Sequence, residues 1–177
     1  MDRVLAAELA RMADEDQRFR SRLQGDGSEF VRRIDLESRM EAQRIDVSNT
    51  DRLRDIVSEH GWPGRSLVGE GGAHHAWLIA QHADRQLDFQ REALELLADA
   101  VSRGEAAQRD LAYLTDRVRM NEGREQVYGT QIAEVKDGNG VPWPVEDPAN
   151  LDARRAAVGL PPFEDYSRDW LNPARRA

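Results

Sequence analysis

The sequence predicts a mainly α-helical fold, seven to eight helices in one irregular bundle with a small β-hairpin near residues 126–145. Three observations predict it. Alanine, leucine, arginine and glutamate dominate and β-branched residues are sparse, which favours helix. Apolar residues recur at helical spacing through most of the chain. Glycines and prolines gather between those segments, where helices stop. The 177 residues fit one structural domain, and a chain of that length buries roughly two thirds of its unfolded surface.

Residues 2–24 read as the first helix, with Leu5, Leu9, Met12, Phe19 and Leu23 following helical spacing. Gly25-Asp26-Gly27 breaks it, and Ser28 caps a second helix that runs to about Ile45. Residues 46–50 (DVSNT) read as a turn, and 51–59 as a short third helix stopped by Gly61 and Pro63. Residues 61–72 carry five glycines and read as loop. Three further helices are expected near 71–84, 88–103 and 108–122. Residues 126–135 form the one plausible strand, Asp137-Gly138-Asn139-Gly140 a hairpin turn, and 141–145 a return strand that Pro142 and Pro144 confine to an edge. Asp147-Pro148 opens a seventh helix closed by Gly159, and residues 163–171 make a last short one. Residues 1–45 are then an N-terminal helical arm packed on a core of residues 46–177.

Charge and composition narrow the function. The net charge is −8, so the chain repels a phosphate backbone and nucleic acid is not an expected partner. The longest apolar run, Ala76-Trp77-Leu78-Ile79-Ala80, falls far short of the ~20 residues that cross a bilayer, so no membrane is expected. The opening MDRVLAAELARMADED turns polar too early for a signal-peptide core. With no cysteine, thiolate catalysis, zinc–thiolate sites, iron–sulfur clusters and disulfides are excluded. Together these fit a soluble cytoplasmic protein.

All four histidines, His60, His74, His75 and His82, lie in HGWPGRSLVGEGGAHHAWLIAQHAD. His82 follows an apolar helical run and titrates near neutrality, so it can serve as acid, base or metal ligand. It can equally sit at the helix end and meet the last carbonyls. His75 and His82 share a helix face but stand ~10.5 Å apart along the axis, too far to hold one ion. No HxxxH occurs. His74 reads as a surface residue. On an extended strand Gln126, Tyr128 and Thr130 share one face. There they would orient a small polar ligand or satisfy buried backbone groups. No dinucleotide fingerprint, phosphate loop or GxSxG elbow is present.

Three blocks in order, HGWP…QHAD, LTDR…EG..Q.YGTQ and DP.N.D.RR…GLPP, resemble a bacterial family of short helical domains of unknown function. The resemblance covers about residues 50–163. It implies no activity, but it picks out His60, Trp62, Pro63, Gln81, His82, Asp84, Asp116, Arg117, Glu122, Gly123, Gln126, Tyr128, Gly129, Thr130 and Gln131.

The function expected first is a small enzyme using histidine acid/base chemistry, with or without a metal, on a small polar substrate. Its catalytic residues would be His82, His60 and Tyr128. Trp62, Gln81, Asp84, Glu122, Gln126, Thr130 and Gln131 would bind the ligand. There is no cofactor motif, and a divalent metal, if bound, would take His82 and His60. The alternative is a non-catalytic ligand-binding or protein-interaction module, with the N-terminal helices forming a homo-oligomer.

Overall fold

The computed structural model describes residues 1–23, 36–168 and 170. The expected break at Gly25-Asp26-Gly27, the cap at Ser28 and the chain beyond Trp170 lie outside the described residues. Seven α-helices and one two-stranded antiparallel sheet are present among the described residues, as the mainly α reading anticipates. They divide between two compact units, Met1–Ala106 and Ala107–Ala177.

The first unit holds α1 (Arg3–Leu23), α2 (Leu36–His60), α3 (Arg65–Gln81) and α4 (Leu87–Ser102). The helical spacing becomes one core. Leu5, Leu9, Met12 and Ala13 of α1 meet α3, whose Val68, Ala73, Ala76 and Ile79 are buried. Leu53, Ile56 and Val57 of α2 and Phe89, Ala93 and Leu97 of α4 close it.

Two sequence expectations fail here. Residues 46–50 do not turn; they lie inside α2. The polar side chains that make DVSNT look like a turn find partners that leave the helix intact. Thr50 Oγ1 donates to the carbonyl of Asp46 one turn back at 2.7 Å. Asn49 Nδ2 donates to the Met12 carbonyl of α1 at 3.1 Å. Nor is all of 61–72 a loop, because helix resumes at Arg65. Gly64 stands at the cap position, and the helix is kinked at Gly69 (φ 77°, ψ 172°).

The second unit holds α5 (Gln108–Asn121), β1 (Ile132–Lys136), β2 (Asn139–Pro142), α6 (Leu151–Ala157) and α7 (Phe163–Arg168), with a 3₁₀ turn at Pro148–Asn150. The hairpin closes through Asp137 (φ 50°) and Gly138 (φ 81°), a two-residue loop with both residues left-handed. α7 packs on β2 and on α6.

The expected strand is half as long as the sequence promises. Residues 132–136 form the ladder, Gln126 makes a single parallel bridge to Val145, and residues 127–131 form an irregular loop between them. Gln126, Tyr128 and Thr130 therefore do not line one strand face. At Gly129 the backbone turns left-handed (φ 67°), with Phe163 and Leu151 packed against its Cα. A Cβ there would come within 3.2 Å of the Phe163 ring.

Gly129 and Gly123 (φ 72°) share a left-handed backbone, but a Cβ at Gly123 meets nothing within 4 Å. Gly123→Ala is expected to cost about 1–2 kcal/mol from backbone strain alone. Gly129→Ala should cost a further 1–3 kcal/mol or so from overpacking. Urea unfolding of the two variants checks the difference.

Candidate functional site

In the first unit the polar interior centres on Asp16. Its side chain is 3% exposed, and it lies on the face of α1 that also carries the apolar core. A carboxylate that deep needs donors. Arg20, one turn on, gives Nε to Oδ1 at 2.9 Å, and Gln17 gives Nε2 to Oδ2 at 2.8 Å. From the end of α3, His82 brings Nδ1 to Oδ2 at 2.9 Å. Arg20 also donates Nη2 to Asp46 of α2 at 2.8 Å. Three helices thus converge on one chain of charge: His82, Asp16, Arg20, Asp46.

The two carboxyls are driven apart. Burial pushes Asp16 up, but the hydrogen bond and charge of His82, with Arg20, hold it below its ordinary value. Asp46 is pushed up to about 6, by burial first and then by the neighbouring Asp16, against the pull of Arg20. An ionised Asp16 accepting from Nδ1 places the ring proton on Nδ1 and the basic lone pair of neutral His82 on Nε2.

His82 is placed by its surroundings. It caps α3 with non-helical dihedrals (φ −100°, ψ 8°). The buried Gln90 of α4 donates Nε2 to the carbonyls of Ala80 and Gln81 and to Asp84 Oδ1, all within 3.3 Å. Asp84 is thereby part of the strap that fixes the helix end. Gln81 is 6% exposed, and its buried Oε1 has no hydrogen-bond partner among the described residues. The same holds for Nε1 of the buried Trp62.

His60 ends α2, with Nε2 3.6 Å from Glu59 Oε2 and a side chain 39% exposed. His74 is exposed and stacks on Trp77, ring centroids 4.7 Å apart. His75 is half-buried, and burial, then His74, holds its pKa below the usual histidine value. Among the described residues no group of three or more His, Asp or Glu is arranged to hold a metal ion.

The second unit gathers the other sequence-selected residues around Asp116, which is fully buried on α5. Its carboxylate accepts the N–H groups of Val127, Tyr128 and Thr130 and the hydroxyl of Thr130, all within 3.2 Å. Burial raises its pKa while those bonds pull it down. Gln126 behaves like a piece of missing strand. Its Oε1 accepts from Gln131 N, and its Nε2 donates to the carbonyls of Gln131 and Trp143. Gln131 Nε2 donates to Thr130 Oγ1, and its Oε1 accepts from Arg117. The side chains of Gln126, Thr130 and Gln131 are spent on the loop that carries them. Tyr128 is half-buried, and burial, then Asp116, raises its hydroxyl pKa, so it stays protonated at neutral pH. Glu122 caps α5 and pairs with Arg124. From the tail, Arg155 donates to the carbonyls of Tyr128 and Pro161, and Arg154 to that of Val127.

Sequence patterning alone did not find Asp16, Arg20 or Asp46. The signal was the four-residue spacing of Asp16 and Arg20, which reads equally as a solvated helix pair.

The chain belongs to a family of unknown function (DUF6624), whose model matches residues 3–174. The match takes in α1 and most of the tail, beyond the 50–163 stretch that carries the motif blocks. No curated protein and no solved structure matches the chain.

The Asp46 carboxyl holds its proton more tightly folded than unfolded. Its contribution to stability is present below its ordinary value of 3.8 and lost as pH rises through about 6. Asp46→Asn keeps an acceptor for Arg20 and removes the charge that opposes Asp16. We expect this variant to be more stable than the parent by about 1–2 kcal/mol near pH 8 and parent-like near pH 4. Thermal unfolding across that range measures it.

Proposed function

We propose that the protein is a small enzyme that uses His82 as general acid and base on a small polar substrate. The observation that carries this is the 2.9 Å bond from His82 Nδ1 to the buried Asp16. That bond does for His82 what a buried carboxylate does in Asp–His catalytic pairs generally. It fixes the ring, selects the tautomer and stabilises the imidazolium formed when Nε2 takes a proton. His82 and Arg20 together hold Asp16 ionised, so the buried carboxylate is in place to stabilise the imidazolium. The His82 side chain is 14% exposed, which gives low dielectric around the proton it exchanges. Gln81, adjacent in sequence and buried with a carbonyl oxygen that has no partner among the described residues, is a candidate to accept a hydrogen bond from the substrate. His60, at the end of α2, is the second histidine of the proposed mechanism and assists as acid if the substrate reaches it.

The acidic, cysteine-free chain fits a cytoplasmic protein acting on a small molecule rather than on nucleic acid. Among the described residues no helix is long and apolar enough to cross a membrane. We further infer a homo-oligomer through α1. Its first turn exposes the apolar Val4 (81%), and Met1 just before it is 74% exposed.

The acid–base proposal is tested by screening the protein against small esters, amides and phosphoesters, then repeating the active assay with variants. His82→Gln is expected to lower kcat/KM by about 10²–10⁴-fold with an unchanged circular-dichroism spectrum. Asp16→Asn should lower kcat and move the pH profile. An activity that survives His82→Gln in a folded protein sinks the proposal. For the oligomer, Val4→Glu should reduce the mass measured by light scattering. A parent that is already monomeric removes that inference.

A further inference from the structure

The second unit contains a cavity of about 780 Å³ that none of the acid–base groups lines, within the size range of ligand sites. Flat apolar surfaces form most of it. Pro142, Trp143 and Pro144 come from β2 and the chain just after it, Pro148 from the 3₁₀ turn, and the Phe163 ring from α7. Phe163 is braced from behind, since the buried Arg155 guanidinium lies 5.6 Å from its ring centre. Among the described residues the lining includes two charged side chains, both carboxylates: Asp152 in the first turn of α6 and Glu164 in the first turn of α7. Among the described residues no lysine or arginine lines the cavity.

We propose that this groove docks a short, extended, proline-bearing basic peptide segment of a partner protein. Three features select that occupant. Trp143 and the three prolines offer rigid, flat faces on which pyrrolidine rings and arginine methylenes can lie, the surface that polyproline-II segments use. Such a segment has little conformational freedom to lose on binding. The carboxylates sit on separate helices, which suits cations at two points along a chain better than a single amine. Neither carboxylate is locked away. Asp152 Oδ1 accepts the Phe163 N–H at 2.8 Å, as a cap. Glu164 meets Arg168 at 2.9 Å in a pair whose side chains are 87% and 56% exposed. A pair that open contributes little, and an incoming guanidinium can replace it.

The test titrates full-length protein into a fluorescein-labelled (Pro-Pro-Arg) repeat peptide and reads anisotropy. Saturable binding is expected, weakened about ten-fold by Glu164→Gln and by Asp152→Asn. Both residues are exposed and both substitutions are isosteric. Asn at 152 keeps the Phe163 cap, so the variants should fold, and circular dichroism verifies it. Trp143→Ala should abolish binding. Three results overturn the proposal: no saturable binding, equal affinity for a (Gly-Ser-Arg) repeat, or unchanged affinity in the two folded carboxylate variants. Displacement of the peptide by benzylamine at comparable concentration would also overturn it, assigning the groove to small amines.

Discussion

A carboxylate taken out of water must be given donors or it destabilises the fold around it. In the second unit Asp116 turns that cost into architecture. Fully buried on α5, it collects three backbone N–H groups and one hydroxyl from residues 127–130. These residues would otherwise need a strand partner. With their donors pointed at one side chain, the chain can turn left-handed at Gly129 and bring Phe163 and Leu151 close. Arg154 and Arg155 of α6 then take the outward carbonyls of Val127 and Tyr128. Donors go to an acid on one side and acceptors to bases on the other, so residues 127–130 keep their backbone groups paired without a strand beside them.

Asp16 meets the same requirement differently, and the difference separates structure from chemistry. Asp116 is surrounded by backbone donors, which cannot change charge. Asp16 is surrounded by side chains, Arg20, Gln17 and His82, one of which, an imidazole, can gain or lose a proton. A clasp of amides is fixed, whereas a clasp that includes imidazole can hold one proton more or less. That contrast is why we propose the acid–base role for His82, beside the first unit's carboxylate, and none beside the one that anchors the YGTQ loop.

The helices were legible wherever one face was apolar and glycine stood at the end. α1, α4 and α5 run within one or two residues of where spacing and Gly104 or Gly123 place them. The hairpin turn was legible because Asp-Gly carries its own backbone preference. The failures share one cause. Asn49, Thr50 and Asp46 look like turn formers in sequence, yet their side chains bond within α2 or to α1. Gln126 and Thr130 look like strand residues, yet their partners lie on α5 and in the segment after β2. A local pattern does not contain a partner thirty residues away. The site was half visible for the same reason: a histidine near a helix end can be seen, but the aspartate sixty-six positions earlier that orients it cannot.

The strap from Gln90 sets a rule about chain length. One amide on α4 holds the last two carbonyls of α3 and the side chain of Asp84. The five residues between those helices, 82–86, therefore form a spacer of fixed length rather than a tolerant connection. One residue added or removed there would rotate Gln90 by about 100° around its helix and release the end of α3, and His82 with it. Within this family, sequences that keep the Asp16–His82 pair should show no insertions or deletions across that spacer, while the hairpin tip at 137–138 is free to vary.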